Sequence, residues 1–163
     1  MIRLTGIGHV LLRVSDVERS KAFYSTVLGL QVTEQDPEHG GVFMALEGHA
    51  HSIDLFPVTN QDDSAPRPSG SLGLGHVAFR VSSEEALRDA YFTLEQHGVK
   101  VTRAIDHVSQ KSVYFHDPDG NRVELYCDMV EHGFEAMRTL GPRRDAIDME
   151  SGEVVSRGED IRR

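Results

Sequence analysis

GHVLLRVS at residues 8–15 returns as GHVAFRVS at residues 75–82, an offset of 67. Two further pairs follow in the same order. GLQVT from Gly29 returns as GVKVT from Gly98, and SIDLF from Ser52 returns as RVELY from Arg122, at offsets of 69 and 70. So slow a drift is what small loop changes leave in a duplicated unit. A repeat of this length is a whole supersecondary module, not a solenoid turn. Any fold for this chain has to be written twice.

Each copy carries the same order of hydrophobic periods. In IGHVLLRV, alternation puts His9 on one strand face and Val10, Leu12 and Val14 on the other. Ser15 with Glu18 makes a capping-box pattern, and Val17, Tyr24, Val27 and Leu28 then share a helical face until Gly29 ends the helix. In the second copy Ser82 with Glu85 opens a helix, Leu87, Tyr91 and Leu94 line its apolar side, and Gly98 stops it. Three strand-like runs follow each helix, at 30–36, 41–47 and 51–57 and then at 99–105, 111–116 and 122–127. DPDGN at 117–121 reads as a turn, proline fixing one φ and Gly120 supplying a positive one. The order is β-α-β-β-β, twice.

These boundaries give module one at 5–58, a polar, proline-rich linker at 59–72 and module two at 73–128, together one domain over 1–128. The linker is long enough for the copies to pair within one chain or across two, and a homo-oligomer is expected. Residues 129–163 form a C-terminal extension. Within it HGFEAMRTLG has the pattern of one short helix, and the stretch from Arg143 onward has no defensible period.

Composition narrows the function classes. With 17 basic and 26 acidic residues the net charge is −9, which argues against a phosphate-binding surface and against nucleic acid as a partner. No apolar run reaches membrane-spanning length, so no membrane partner is expected. The opening MIRLTGIGHVLL lacks the pattern of a signal segment, so a cytoplasmic location is expected. The single cysteine, Cys127 in VELYC, reads as a buried strand thiol rather than a nucleophile.

The chemistry-bearing residues repeat with the modules. His9 and His76 are equivalent, as are Asp54 and Glu124 in the last strand of each copy. If the halves are related by a pseudo-twofold axis, equivalent inward positions meet near it. Two neutral imidazoles and one carboxylate make an open ligand set suited to Fe(II) or Mn(II), or with different finishing to Zn(II) or Ni(II). Glu124 stands in an apolar strand where burial without a partner is costly. Taken singly, either histidine reads as structural; as a set with Glu124, they read as a metal site.

The paired GHV strands, FYSTVLGL and YFHDPDGNRVELY resemble the vicinal oxygen chelate superfamily over residues 5 to 128. That superfamily includes glyoxalase I, fosfomycin-resistance and bleomycin-resistance proteins, methylmalonyl-CoA epimerase and extradiol dioxygenases. The resemblance is nearest to small one-domain extradiol catechol dioxygenases. It implies an α+β fold in which two tandem βαβββ modules form a half-open mixed β-barrel around a metal site. It also implies His9, His76 and Glu124 as ligands of that metal.

Position 54 then separates the reactions. Glyoxalase I and the epimerase carry a Glu or Gln fourth ligand there; extradiol enzymes carry a small residue. Asp54 departs from both, being one methylene shorter than glutamate, and is expected near the metal but outside bonding range. His51, in the A-H-x-I context of Ala50–Ile53, matches a histidine of extradiol enzymes that lies just beyond the ligands and moves protons. Strict alternation would set His51 and Asp54 on opposite faces, so only the resemblance brings His51 to the site. Tyr114, ten positions before Glu124, matches a tyrosine that hydrogen-bonds the bound diol, and His107 fits a second polar neighbour if a gap is allowed. His49 reads as exposed, and His39, His97, His116 and His132 as solvated or capping. The expected activity is Fe(II)-dependent extradiol cleavage of a small aromatic diol with O2. The alternatives are a metal-dependent isomerase with Asp54 as fourth ligand, using Ni(II), Zn(II) or Co(II), and a non-catalytic drug-binding protein. The pocket walls, with Phe43, Phe79 and Phe115 as candidates, are not fixed by sequence.

Overall fold

The duplicated sequence yields a duplicated topology. A computed structural model of the chain describes residues 2–59, 72–130 and 144–157. Two units result: Met1–Leu72 with the turn Asp117–Gly120, and Gly73–His116 with Asn121–Arg163. The first unit runs β1 (Val10–Val14), α1 (Val17–Thr26), β2 (Gln31–Asp36), β3 (Gly41–Ala45) and β4 (Ile53–Pro57). The second runs β5 (Val77–Arg80), α2 (Glu84–Gln96), β6 (Arg103–Asp106), β7 (Gln110–His116) and β8 (Arg122–Asp128). Two short strands, β9 (Asp145–Ile147) and β10 (Val154–Ser156), follow.

The class is α+β, with one open mixed sheet per unit. The first sheet has the order β1-β4-β3-β2 and the second β10-β9-β6-β7-β8-β5. Removing β9 and β10 leaves the same order in both. In each sheet the first strand pairs in parallel with the fourth, Leu11 opposite Asp54 and Ala78 opposite Glu124. The equivalence therefore holds down to single residues. His9 and Leu11 share a face by the period of two, so His9 emerges on the Asp54 side of its sheet, and His76 on the Glu124 side.

The opposite faces are apolar and buried. In the first unit Leu12, Val14, Leu30, Met44, Ile53 and Leu55 are the core. In the second, Leu87 and Leu94 of α2 join Val113, Phe115, Val123 and Leu125. Phe115 thus belongs to the core rather than to a pocket wall. Cys127 is fully buried there too, and burial first of all raises its thiol pKa, which keeps it protonated and inert.

Several expected boundaries move for physical reasons. Asp16, not Ser15, caps α1 by accepting from Arg19 N, because the Ser15 hydroxyl and amide are both engaged by Asp119. Ser83, not Ser82, caps α2 through Ala86 N. The expected helix stops do hold: Gly29 and Gly98 take φ of 73° and 69°, a conformation that costs glycine little. In the 117–121 turn Gly120 has φ 84°. The expected strand at 99–105 starts only at Arg103, and the one at 51–57 only at Ile53, after a bend at Ser52. β9 and β10 form in the stretch where the sequence shows no period, each being only three residues long. The expected HGFEAMRTLG helix lies outside the described residues. Among the described residues no helix is long and apolar enough to cross a membrane.

Candidate metal and substrate site

In the first unit three candidate residues gather at the start of β4. His51 Nδ1 lies 2.7 Å from Asp54 Oδ1, and His9 Nε2 lies 3.4 Å from Asp54 Oδ2. The His9 and His51 rings stack with centroids 4.3 Å apart, and Phe43 meets His51 edge-on at 5.7 Å. His51 precedes the strand at the Ser52 bend, so alternation does not govern it; Ser52 N instead donates to Met44 O. Asp54 is 2% exposed, and a carboxylate so buried needs partners. The natural tautomer has His51 Nδ1–H donating to Asp54. His51 Nε2 then makes no hydrogen bond among the described residues.

In the second unit the equivalent pair is closer. His76 Nε2 lies 2.9 Å from Glu124 Oε2. Tyr114 sits opposite Glu124 in the β7–β8 register and donates its hydroxyl proton to Glu124 Oε1 at 2.8 Å. His107 Nε2 stands 3.2 Å from the Tyr114 oxygen. Since Tyr114 spends its proton on Glu124, the matching tautomer has His107 Nε2–H donating to Tyr114. Burial, then the Glu124 bond and charge, pushes the Tyr114 phenol up to about 12. Burial likewise holds His107 below the ordinary imidazole range, hence neutral. His107 is presented by a tight turn in which Val108 takes φ 74°, unusual for a β-branched residue. The bond from Val108 N to Asp106 Oδ1 at 2.7 Å and that from His107 N to Gln110 O at 2.7 Å hold the turn in place.

The donors suit a divalent cation. Neutral imidazole and carboxylate are borderline and hard donors, the mixture that Fe(II), Mn(II), Zn(II) and Ni(II) accept. Two donors with bonds of ~2.1 Å on adjacent octahedral corners stand ~3.0 Å apart, close to the 2.9 Å between His76 Nε2 and Glu124 Oε2. His9, His51 and Asp54 form a second set whose ligand atoms all lie within 4.8 Å of one another.

His76, His107 and Tyr114 also line a cleft of about 350 Å³ in the second unit, within the range of small-ligand sites. His116, expected to be solvated, is at its edge and remains exposed. Arg103, Arg122 and Arg144 complete its polar wall. None of the arginines was legible as a site residue. Arg122 could have been found by counting two residues back from Glu124, whereas Arg103 joins the face only through its register opposite Tyr114. Arg144 could not, since it precedes a strand that the sequence does not announce.

Biphenyl-2,3-diol 1,2-dioxygenase 2 of Rhodococcus globerulus is 32% identical to this chain over 121 residues, 74% of this chain and 62% of that protein. The chain thus spans less than two thirds of that relative's length. Metallothiol transferase FosB of Staphylococcus epidermidis is 27% identical over 135 residues, covering 78% of this chain and 87% of the transferase. Among solved structures, the glyoxylase/bleomycin resistance protein/dioxygenase domain from Frankia sp. EAN1pec superposes with a TM-score of 0.68 at 23% identity. It covers 77% of this chain and 99% of that one, a likeness of fold. A family model matches residues 6–125, and the chain belongs to the Glyoxalase/Bleomycin resistance protein/Dioxygenase superfamily.

Proposed function

We propose that this chain is an extradiol dioxygenase acting on a catechol-type ring. The ring bond beside the diol breaks, both atoms of O2 enter the ring-opened product, and no outside reductant is consumed. His9, His76 and Glu124 would hold an Fe(II) ion, to which Mn(II) is the nearest substitute in donor preference. That ion, when bound, supplies the electronic link between diol and O2.

The remaining work falls to side chains. His51 Nε2 accepts the proton of a substrate hydroxyl and returns it as the ring opens, a role an imidazole can fill in either direction. Asp54 orients His51 through Nδ1–H and stabilises the imidazolium while the proton is held. Tyr114, kept as a phenol, fixes Glu124 and offers its oxygen beside the bound diol. His107 holds Tyr114 in turn.

The observation that carries this reading is the 2.7 Å bond between His51 Nδ1 and Asp54 Oδ1. It engages the Asp54 carboxylate as an orienting partner, where an isomerase would want it as a fourth ligand. The similarity to a biphenyl-2,3-diol dioxygenase supports the same reaction. A second reading draws on the grouping of His9, His51 and Asp54, which could instead be the metal set of an isomerase.

The test is anaerobic loading with Fe(II), then O2 and 2,3-dihydroxybiphenyl. O2 uptake with a yellow ring-opened product is expected, and His51→Ala should slow it roughly 10²–10⁴-fold. Conversion of a hemithioacetal without O2 uptake by any catechol would replace this reading with the isomerase.

A further inference from the structure

The cleft of the second unit has a charge opposite to that of the chain. The protein carries −9 overall, yet Arg103, Arg122 and Arg144 all border one cleft of about 350 Å³. No acidic side chain among the described residues lines it, and the neighbouring Glu124 is engaged by Tyr114 and His76. Among the described residues no carboxylate forms an ion pair with any of the three arginines.

Register explains how they meet. Arg103 stands opposite Tyr114, and Tyr114 opposite Glu124, so the three form one row across β6, β7 and β8. Arg122 stands opposite His116, one step along the same face. Ile105 pairs with Ala146 of β9, which puts Arg144, two residues before Ala146, on that face as well. The positive charge of Arg144 is felt at both His107 and Tyr114. The three arginines thus share a face and a cleft with Tyr114, the phenol that the ring-cleavage reading places against the diol.

We propose that the substrate is a catechol bearing a carboxylate on a short side chain, with Arg144, Arg103 and Arg122 as the residues that select it. The diol part of this statement rests on the proposed ring cleavage; the acid part rests on the cleft alone. Guanidinium presents paired N–H donors that match the two oxygens of a carboxylate, and a partly enclosed cationic cleft concentrates such ions. A neutral ring substituent would leave three arginines facing it without use. A cationic one would be repelled.

Two series separate the acid preference from the chemistry. The first measures binding by calorimetry to the full chain, using monophenols that are not substrates for ring cleavage: 4-hydroxyphenylacetate, 4-ethylphenol and tyramine. The acid should bind at least roughly 10-fold tighter than 4-ethylphenol, with tyramine weakest, and added salt should narrow the gap. Arg144→Met and Arg103→Met, which keep the aliphatic stem, should each cut the acid-to-neutral ratio roughly 10-fold, and Arg144→Lys should restore part of it. Equal binding of acid and neutral probes, or ratios unmoved in both Met variants, overturns the proposal. Tighter binding of 4-hydroxybenzylphosphonate than of the carboxylate overturns its choice of oxyanion. The second series measures O2 uptake with 3,4-dihydroxyphenylacetate, 4-ethylcatechol and dopamine. Preference for the acid supports the proposal, and equal kcat/KM for all three overturns it while leaving ring cleavage intact. No uptake with any catechol, beside selective binding of the acid monophenol, overturns ring cleavage and supports the cleft's preference for acids.

Discussion

His51 Nδ1 donates to Asp54 Oδ1 across 2.7 Å although the two residues stand three apart, where strand alternation would send them to opposite faces. The bend at Ser52 removes His51 from the strand and lets its ring turn back over a carboxylate that is 2% exposed. If Asp54 serves His51, its loss should touch turnover more than metal. Asp54→Ala is expected to lower kcat roughly 10–100-fold, about the worth of one charge-assisted hydrogen bond, with iron content near that of the unaltered protein. Paired metal analysis and O2 uptake check this. Iron lost in proportion to activity would make Asp54 a ligand.

Tyr114 is the second test. Burial and Glu124 push its phenol up to about 12, so it stays a donor throughout the neutral and mildly alkaline range. Tyr114→Phe removes the donor to Glu124 and the acceptor of His107, and should lower kcat roughly 10–100-fold while the sheet stays folded. Ultraviolet titration should show a phenolic step near 12, shared with Tyr91, whose amplitude falls by one tyrosine in Tyr114→Phe. A Tyr114 step near the ordinary value of about 10 contradicts the burial of this hydroxyl.

Asp119 ties the 117–120 turn to α1. Its carboxylate accepts from Ser15 N at 3.0 Å, from Arg19 Nη2 at 2.9 Å and from Ser20 Oγ at 2.9 Å. Burial works against ionisation there, but the Ser15 and Ser20 hydrogen bonds and Arg19 outweigh it, and the carboxyl pKa ends below its usual range. A depressed folded pKa gives stability that is complete above the unfolded value of about 3.9 and lost as pH falls through the folded one. Asp119→Asn should therefore cost about 1.5–3 kcal/mol at pH 7, and the difference should shrink below about pH 4. Urea unfolding at pH 7 and pH 3 measures both. A deficit that does not change between them would remove the charge from the explanation.

Val108 sits at φ 74° in the turn that presents His107. A β-branched residue there stores about 1–3 kcal/mol of strain, part of which glycine would release at the cost of a freer unfolded chain. Val108→Gly should raise stability by about 0.5–1 kcal/mol and lower kcat, because a looser turn holds His107 and hence Tyr114 less firmly. Thermal unfolding and steady-state rates decide it. A destabilised Val108→Gly protein would show that the turn is not strained.

Whatever repeats or alternates is legible in the sequence. The offset between the GHV strands predicted equivalent positions, and the registers Leu11 with Asp54 and Ala78 with Glu124 realise that equivalence. The start of α1 moves by one residue because Ser15 and Asp16 are both good caps, and only the Asp119 contacts decide between them. β9 and β10 are three residues each, too short to leave a period, so Arg144 was invisible as a cleft residue. The His51–Asp54 contact was equally invisible to periodicity, since a bend rather than a strand creates it. Local rules fail at the site itself, where backbone irregularity brings the polar groups together.

The metal content of two single variants, loaded with Fe(II) under argon, tests the proposed site most directly. His76→Ala should lose the iron, while His51→Ala should keep about one ion per chain and lose only turnover. Iron retained by His76→Ala and lost by His51→Ala would move the metal to the His9, His51 and Asp54 set and contradict the ring-cleavage mechanism.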